Sequence, residues 1–302
     1  MKRILSLIFI TSILIFSLLL PNTLFARTQD NNAFSIYINK FSLDPNPIPV
    51  GDLAVSRVKV KEGERIIDIK FLGKDIPFYP FGPNEYWFLL GVGLKNKPGI
   101  YPLTIKLKRL SHYVTIKTDI QVAYRFFPEQ FLHLPKNMVD LKGPILKRVL
   151  QDERIVERIV SRVHRKVLWT PPFIWPVRGK IISTFGLKRI LNGEPRSQHR
   201  GLDLKAPYGT PVKATNSGKV ALVRNCYLSG RTVIIDHGGG LYSLYAHLSR
   251  IYVLPGEYVK KGQVIGLSGK SGRATGPHLH WGISYLGVRV DPKELMSILG
   301  ES

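Results

Sequence analysis

From Tyr101 to Val122 apolar side chains recur at every second position: Tyr101, Leu103, Ile105 and Leu107, then Val114, Ile116, Ile120 and Val122. A period of two marks strands with one buried and one wet face. Turn signals cut the surrounding stretch into short pieces: Asp44-Pro45-Asn46-Pro47, Glu62-Gly63, Gly82-Pro83-Asn84 and Asn96-Lys97-Pro98-Gly99. About seven short strands at this spacing suggest a small β-sandwich over residues 33–125. The period then changes. Ile145, Val149, Val156, Ile159, Val160, Val163 and Val167 fall at three- and four-residue steps, which predicts one amphipathic helix from Pro144 to about Leu168. Pro144 suits its first turn, and Thr170-Pro171-Pro172 ends it. Residues 126–170 therefore read as a helical linker that packs one domain against the next. Residues 171–302 return to a β pattern rich in glycine, with a short helix only near Pro292 to Leu299. The fold class is mainly β.

Charge narrows the partners. Lys and Arg number 44 against 21 Asp and Glu, a formal net charge of +23. The basic residues are scattered, with runs no longer than Lys260-Lys261 or Arg165-Lys166. That fits affinity for an anionic wall or membrane surface rather than reading of a nucleic-acid sequence. At the N-terminus, Lys2-Arg3 precede an apolar run from Ile4 to Leu20, broken by Pro21 and Asn22. Leu24-Phe25-Ala26 offers a small residue for cleavage before Arg27. Residues 1–26 have the layout of a secretory signal peptide, with export to the periplasm or cell envelope expected. An uncleaved anchor is the alternative. One cysteine, Cys226, excludes an internal disulfide and a thiolate zinc cluster, and reads as a small buried hydrophobe.

Five of the eight histidines fall in the last 104 residues: His199, His237, His247, His278 and His280. In His199-Arg-Gly-Leu-Asp203 the imidazole and carboxylate stand four positions apart, on one face of an extended chain. In His278-Leu-His280 both rings share a face while Leu279 turns away. A catalytic zinc takes three N/O ligands and leaves a position for water. His199, Asp203 and one histidine of the His-x-His pair could supply them, and a spare histidine could accept a proton or donate to an oxyanion. Alone, His-x-x-x-Asp is more often a surface ion pair than a ligand set. His237 reads as a turn or supporting histidine, and His112, His133 and His164 as surface residues.

Several motifs then occur in fixed order. They are Gly179-Lys-Ile-Ile-Ser-Thr-Phe-Gly186, Asn192-Gly-Glu-Pro-Arg196, His199-Arg-Gly-Leu-Asp-Leu-Lys-Ala-Pro207, Gly209-Thr-Pro-Val212, Ala214 to Val220 and His237-Gly-Gly-Gly240. Tyr245-Ala-His-Leu-Ser249, Val259-Lys-Lys-Gly262, Gly266-Leu-Ser-Gly269, Thr275-Gly-Pro-His-Leu-His280 and Val290-Asp-Pro292 complete the set. The segment resembles the lysostaphin-type (LytM-type) zinc metallopeptidases of bacterial cell walls. The resemblance implies a compact antiparallel β domain with a groove bounded by loops. It implies one zinc per chain held by His199, Asp203 and His280, with His278 helping to activate water and His247 stabilising the tetrahedral intermediate. The implied substrate is the peptide cross-link of peptidoglycan. The first β stretch resembles, more weakly, the Ig-like domain of some exported members.

Around the motifs, Gly201, Gly276 and Gly282 would allow close backbone approach, and Tyr245, Trp281 and Tyr285 are groove walls or core. Two other functions compete: an inactive relative that activates another wall hydrolase, and a nucleotide binder. The first is opposed by the complete ligand set. The second is opposed by Val264, which stands where a phosphate loop ending in Gly269-Lys270-Ser271 needs glycine. The N-terminal half carries no chemical motif, and its expected role is to hold the catalytic domain at the wall or to cover its groove.

Overall fold

A computed structural model describes residues 37–133 and 140–301. The proposed signal peptide lies outside the described residues. Nine strands form the first region: β1 (Ile38–Asp44), β2 (Ile48–Pro49), β3 (Leu53–Val60), β4 (Glu64–Phe71), β5 (Lys74–Asp75), β6 (Phe78–Gly82), β7 (Glu85–Gly91), β8 (Gly99–Arg109) and β9 (His112–Ala123). They make a four-stranded sheet, β1-β3-β7-β6, and a five-stranded sheet, β2-β9-β8-β4-β5. The alternation read from sequence is that of the β8–β9 hairpin, where Ile105 stands opposite Ile116 and Leu107 opposite Val114. Leu103, Ile105 and Leu107 are fully buried, and each such side chain contributes about 1.5–3 kcal/mol by leaving water. Their cluster is continuous with Leu53, Val58 and Phe88 of the other sheet.

The connecting region departs from the expected single long helix. β10 (Glu129–Leu132) first pairs in parallel with β12 (Lys188–Leu191), and α1 (Gly143–Val160) follows. The helix ends eight residues short of Leu168. Beyond Ser161 the backbone finds partners in the last region: the Tyr242 hydroxyl donates to Arg162 O, Gly239 N–H to His164 O, and Leu168 N–H to His237 O. These tertiary bonds replace the helical ladder, and Val163 is left largely exposed.

The last region contains β11 (Ile181–Ser183), β12, β13 (Glu194–Gln198), β14 (Leu202–Lys205), β15 (Pro211–Lys213), β16 (Gly218–Cys226) and β17 (Gly230–Gly238). It continues with β18 (Leu241–Ile251), β19 (Tyr258–Val259), β20 (Val264–Ser268), β21 (His278–Tyr285), β22 (Val288–Val290) and α2 (Pro292–Leu299). A ten-stranded sheet has the main path β11-β14-β21-β18-β17-β16-β19. One face packs Val233, Tyr245, Leu279 and Trp281 into the main core. The other face carries Ile234, Tyr242, Leu244 and Ala246, which bury against Val160 and Val156 of α1. The first and last regions are tied together by Arg125, whose guanidinium donates to Asp52 and, at 2.6 Å, to Asp291. Tyr285 adds a buried hydroxyl bond to Leu89 O at 3.0 Å. Among the described residues no helix is long and apolar enough to cross a membrane.

Candidate metal centre

β14 and β21 pair antiparallel with Asp203 directly opposite His280, so their side chains rise from one face of the sheet. His278, two positions from His280, shares that face. His199 arrives differently from the sequence expectation. On a continuous extended strand, residues four apart lie about 13 Å apart, too far for one small ion. Instead the chain leaves β13 at Gln198 and bends through Arg200 and Gly201 before β14, which folds His199 back over Asp203. Gly201 permits the bend to sit tightly. A Cβ there would lie 2.5 Å from Trp281 O and 2.8 Å from His280 Cε1. Gly276, by contrast, has nothing within 4 Å of that position, so close packing does not explain it.

The three donor atoms converge. His199 Nε2 is 3.0 Å from Asp203 Oδ1 and 3.0 Å from His280 Nδ1, and His280 Nδ1 is 2.9 Å from Asp203 Oδ1. For zinc bonds of 2.0–2.2 Å at a tetrahedral centre, neighbouring donors stand about 3.3–3.5 Å apart. The observed triangle is tighter by about 0.3–0.6 Å, so a slight outward movement of the three side chains would seat the ion. The His199 tautomer suits the role, because its Nδ1–H donates to Thr184 O at 2.7 Å and frees Nε2. Burial would raise the Asp203 pKa, but when the facing nitrogens of His199 and His280 carry the protons that a metal would displace, their hydrogen bonds outweigh it and hold the carboxyl well below the usual carboxylate range. Its other oxygen faces Arg189 of β12 at 3.4 Å.

Two further imidazoles complete the cluster. His278 donates from Nδ1 to Gly276 O at 2.9 Å, which leaves Nε2 3.7 Å from Asp203 Oδ1. His247 is less expected. Ala246 stands opposite His280, so simple alternation would send His247 to the core face. A bulge intervenes: β18 spends three residues between Tyr245 and Leu248 while β17 spends two between Val233 and Arg231. His247 adopts φ 62°, which costs a non-glycine residue about 1–2 kcal/mol. The ring thereby comes within 4.7 Å of the His278 ring, centroid to centroid. Its Nδ1–H donates to Ser271 O at 2.8 Å, leaving Nε2 for the site. Burial, with the neighbouring His280, pushes His247 down to about 4, so it is neutral near pH 7.

All five sequence-selected site residues thus meet at one place. Other expectations separate. His237 is wholly buried between Ser217 O and the Ser243 hydroxyl, and Tyr245, Trp281 and Tyr285 lie in the core rather than along a groove. His112 and His133 are exposed, and exposed His164 contacts Asp236. Cys226 is buried and unpaired. Arg189 and the carbonyls of Thr184, Ser271 and Gly276 escaped sequence reasoning. Backbone carbonyls carry no residue signature, and Arg189 sits in an ordinary basic strand.

A β domain thus brings together a His-Asp-His donor set that could hold a metal ion, flanked by two more histidines. Residues 197–292 match the sequence profile of peptidase family M23, a domain that spans every residue of the cluster. Peptidoglycan DD-endopeptidase ShyA of Vibrio cholerae is 44% identical over 110 residues, covering 35% of this chain and 26% of that protein. ShyB of the same organism, also a peptidoglycan DD-endopeptidase, is 44% identical over 154 residues, 46% of this chain and 33% of its own length. The matches thus span a third or less of these curated relatives. A Pseudomonas aeruginosa crystal structure described as a peptidase M23 is 28% identical with TM-score 0.64, covering 83% of this chain and 95% of that one. That share exceeds the last region alone, so the likeness includes the N-terminal sheets.

Proposed function

We propose that this chain is an exported zinc metalloendopeptidase that hydrolyses peptide cross-links of bacterial peptidoglycan. The observation that carries the reading is the triangle of donor atoms, 2.9–3.0 Å on each side, formed by His199, Asp203 and His280. Bound zinc would supply Lewis acidity to polarise the scissile carbonyl and would lower the pKa of a water. The protein does the rest. Asp203 stays ionised and cancels part of the metal charge. His278, with Nδ1–H anchored on Gly276 O, keeps Nε2 ready to take a proton. His247, anchored through Nδ1–H on Ser271 O, turns Nε2 to the site and can stabilise negative charge developing on the carbonyl oxygen once that nitrogen has taken up a proton. The names of the two Vibrio relatives support peptidoglycan as substrate.

The organisation proposed with this activity is a signal peptide at residues 1–26, an Ig-like sandwich at 33–125, a helix-containing linker at 126–170 and the peptidase domain at 171–302. The inactive-relative reading is disfavoured because no ligand position is lost. Zinc-loaded protein should release cross-linked dimers from purified peptidoglycan as monomers with new amino and carboxyl termini, and chelation should stop it. Sacculi that stay intact under zinc-loaded protein would refute the proposal.

A further inference from the structure

Behind His280 the metal-bearing face of the sheet does not end in solvent. A cavity of about 360 Å³ lies between that face and α1, and His280, Arg200, Arg289, Leu244, Val156 and Glu157 are among its walls. Its position follows from the strand register. Leu244 stands opposite Gly282, and Arg289 of β22 opposite Ser284, so both belong to the His280 face. Gly282 has no side chain to fill the space between. A Cβ there would lie 3.9 Å from Arg289 Nη1, so the guanidinium has reached back along the sheet toward the donor set.

Both arginines border this space. Among the described residues neither guanidinium makes a hydrogen bond or an ion pair. Of the acids that α1 presents to the cavity, Asp152 is committed to Arg224 at 2.7 Å and to Tyr227 N–H at 2.8 Å. Glu157 favours the Arg289 charge only from a distance, and Glu153 makes no ion pair with either arginine. Lys95 adds positive charge from the first region. Burial and the neighbouring Arg200 push Arg289 down to about 10. The guanidiniums of half-buried Arg289 and exposed Arg200 border one cavity with apolar walls and match a planar carboxylate, which such groups grip with parallel hydrogen bonds.

We propose that Arg200 and Arg289 form a carboxylate-binding subsite that selects substrate peptides bearing a free carboxylate on the side of the scissile bond lying beneath α1. This assignment rests on the peptidase reading. The test uses two cross-linked peptides of one sequence, identical except that the carboxyl next to the cross-link is free in one and a carboxamide in the other. The zinc-loaded full chain should prefer the acid by at least about tenfold in kcat/KM, mostly through KM, the factor a charge-assisted hydrogen bond commonly carries. Arg289→Gln should collapse the acid-to-amide ratio to about one, and Arg289→Lys should restore part of it. Binding of both peptides by calorimetry needs no turnover. A protein that cuts acid and amide equally keeps the peptidase reading and overturns the subsite. A protein that cuts neither but binds the acid preferentially through Arg289 keeps the subsite and overturns the peptidase reading. Equal binding of both peptides by the wild type overturns the subsite without reference to any variant's folding, and a preference that survives Arg289→Gln and Arg200→Gln in folded protein overturns it as well.

Discussion

Replacing Gly201 by alanine tests whether the donor triangle depends on one missing methyl group. The added Cβ would stand 2.5 Å from Trp281 O, 2.8 Å from His280 Cε1 and 2.9 Å from His280 Nε2. Ordinary contacts of these kinds are about 3.3–3.6 Å, so the ring or its strand must recede by about 0.5–1 Å. Metal–ligand distances tolerate about 0.2 Å. Trp281 is fully buried and its strand is paired on both sides, so most of the strain falls on the His280 ring. Gly201 is outside the left-handed region, which makes the effect steric rather than conformational. Zinc affinity should fall about 10–100-fold, or about 1.4–2.8 kcal/mol. Overpacking should also cost the metal-free fold about 1–3 kcal/mol. Competition against a chromogenic chelator measures the first and urea unfolding the second. Gly276→Ala is the control, because a Cβ there meets nothing within 4 Å. Gly201→Ala with zinc affinity within about twofold of wild type would refute the reasoning.

Two other outcomes follow from the same geometry. His199→Ala, Asp203→Ala and His280→Ala should each lower zinc from about one per chain to near zero, whereas His247→Ala and His278→Ala should keep zinc and slow cleavage about a hundredfold or more. Metal analysis beside peptide assays separates them, and stoichiometric zinc in Asp203→Ala would sink the ligand assignment. Complete burial lowers His237 from 6.5 to about 4. Between those pH values the unfolded chain binds more protons than the native one, so stability should rise with pH, with about 3 kcal/mol lost on acidification from this group. Urea unfolding of zinc-free protein across this range should show a shallower slope in His237→Gln; an unchanged slope counts against it.

Period and residue type made the strands and the site legible to different depths. The β8–β9 alternation survived because every apolar residue in it faces one core, and nothing tertiary competes. His-x-His was readable for the same reason, since β21 is regular through both rings. His199 and Asp203 were paired correctly on wrong grounds: the bend at Gly201 brings them together, not a shared strand face. The orientation of His247 comes from a bulge whose extra residue is defined only against the partner strand β17. The end of α1 was misjudged because Val163 and Val167 keep the helical period while Tyr242, Gly239 and His237 claim the backbone there. Local pattern cannot register a competitor that lies 69 to 80 residues along the chain, as at Leu168–His237 and Arg162–Tyr242.

The placement of α1 bears on what the N-terminal half does. Covering and anchoring were the two sequence-based options, and the helix lies on the same sheet face as the donor set, with Ala246 beneath it and directly opposite His280. It is not a loose cover. Asp152 of α1 takes two bonds from the sheet, and the Arg125 bridge ties the first region to Asp291 at the N-cap of α2. A chain beginning near Thr170 would strip Ile234, Tyr242 and Leu244 of their apolar cover, so faster cleavage after such a truncation would not by itself report relief from inhibition. The helix is better understood as a fixed wall that bounds the face at one end while the donor set stays reachable from the other, where His278 and His280 keep partial exposure. Anchoring by the dispersed basic surface would be a separate property, one that salt should weaken without touching the wall that α1 builds.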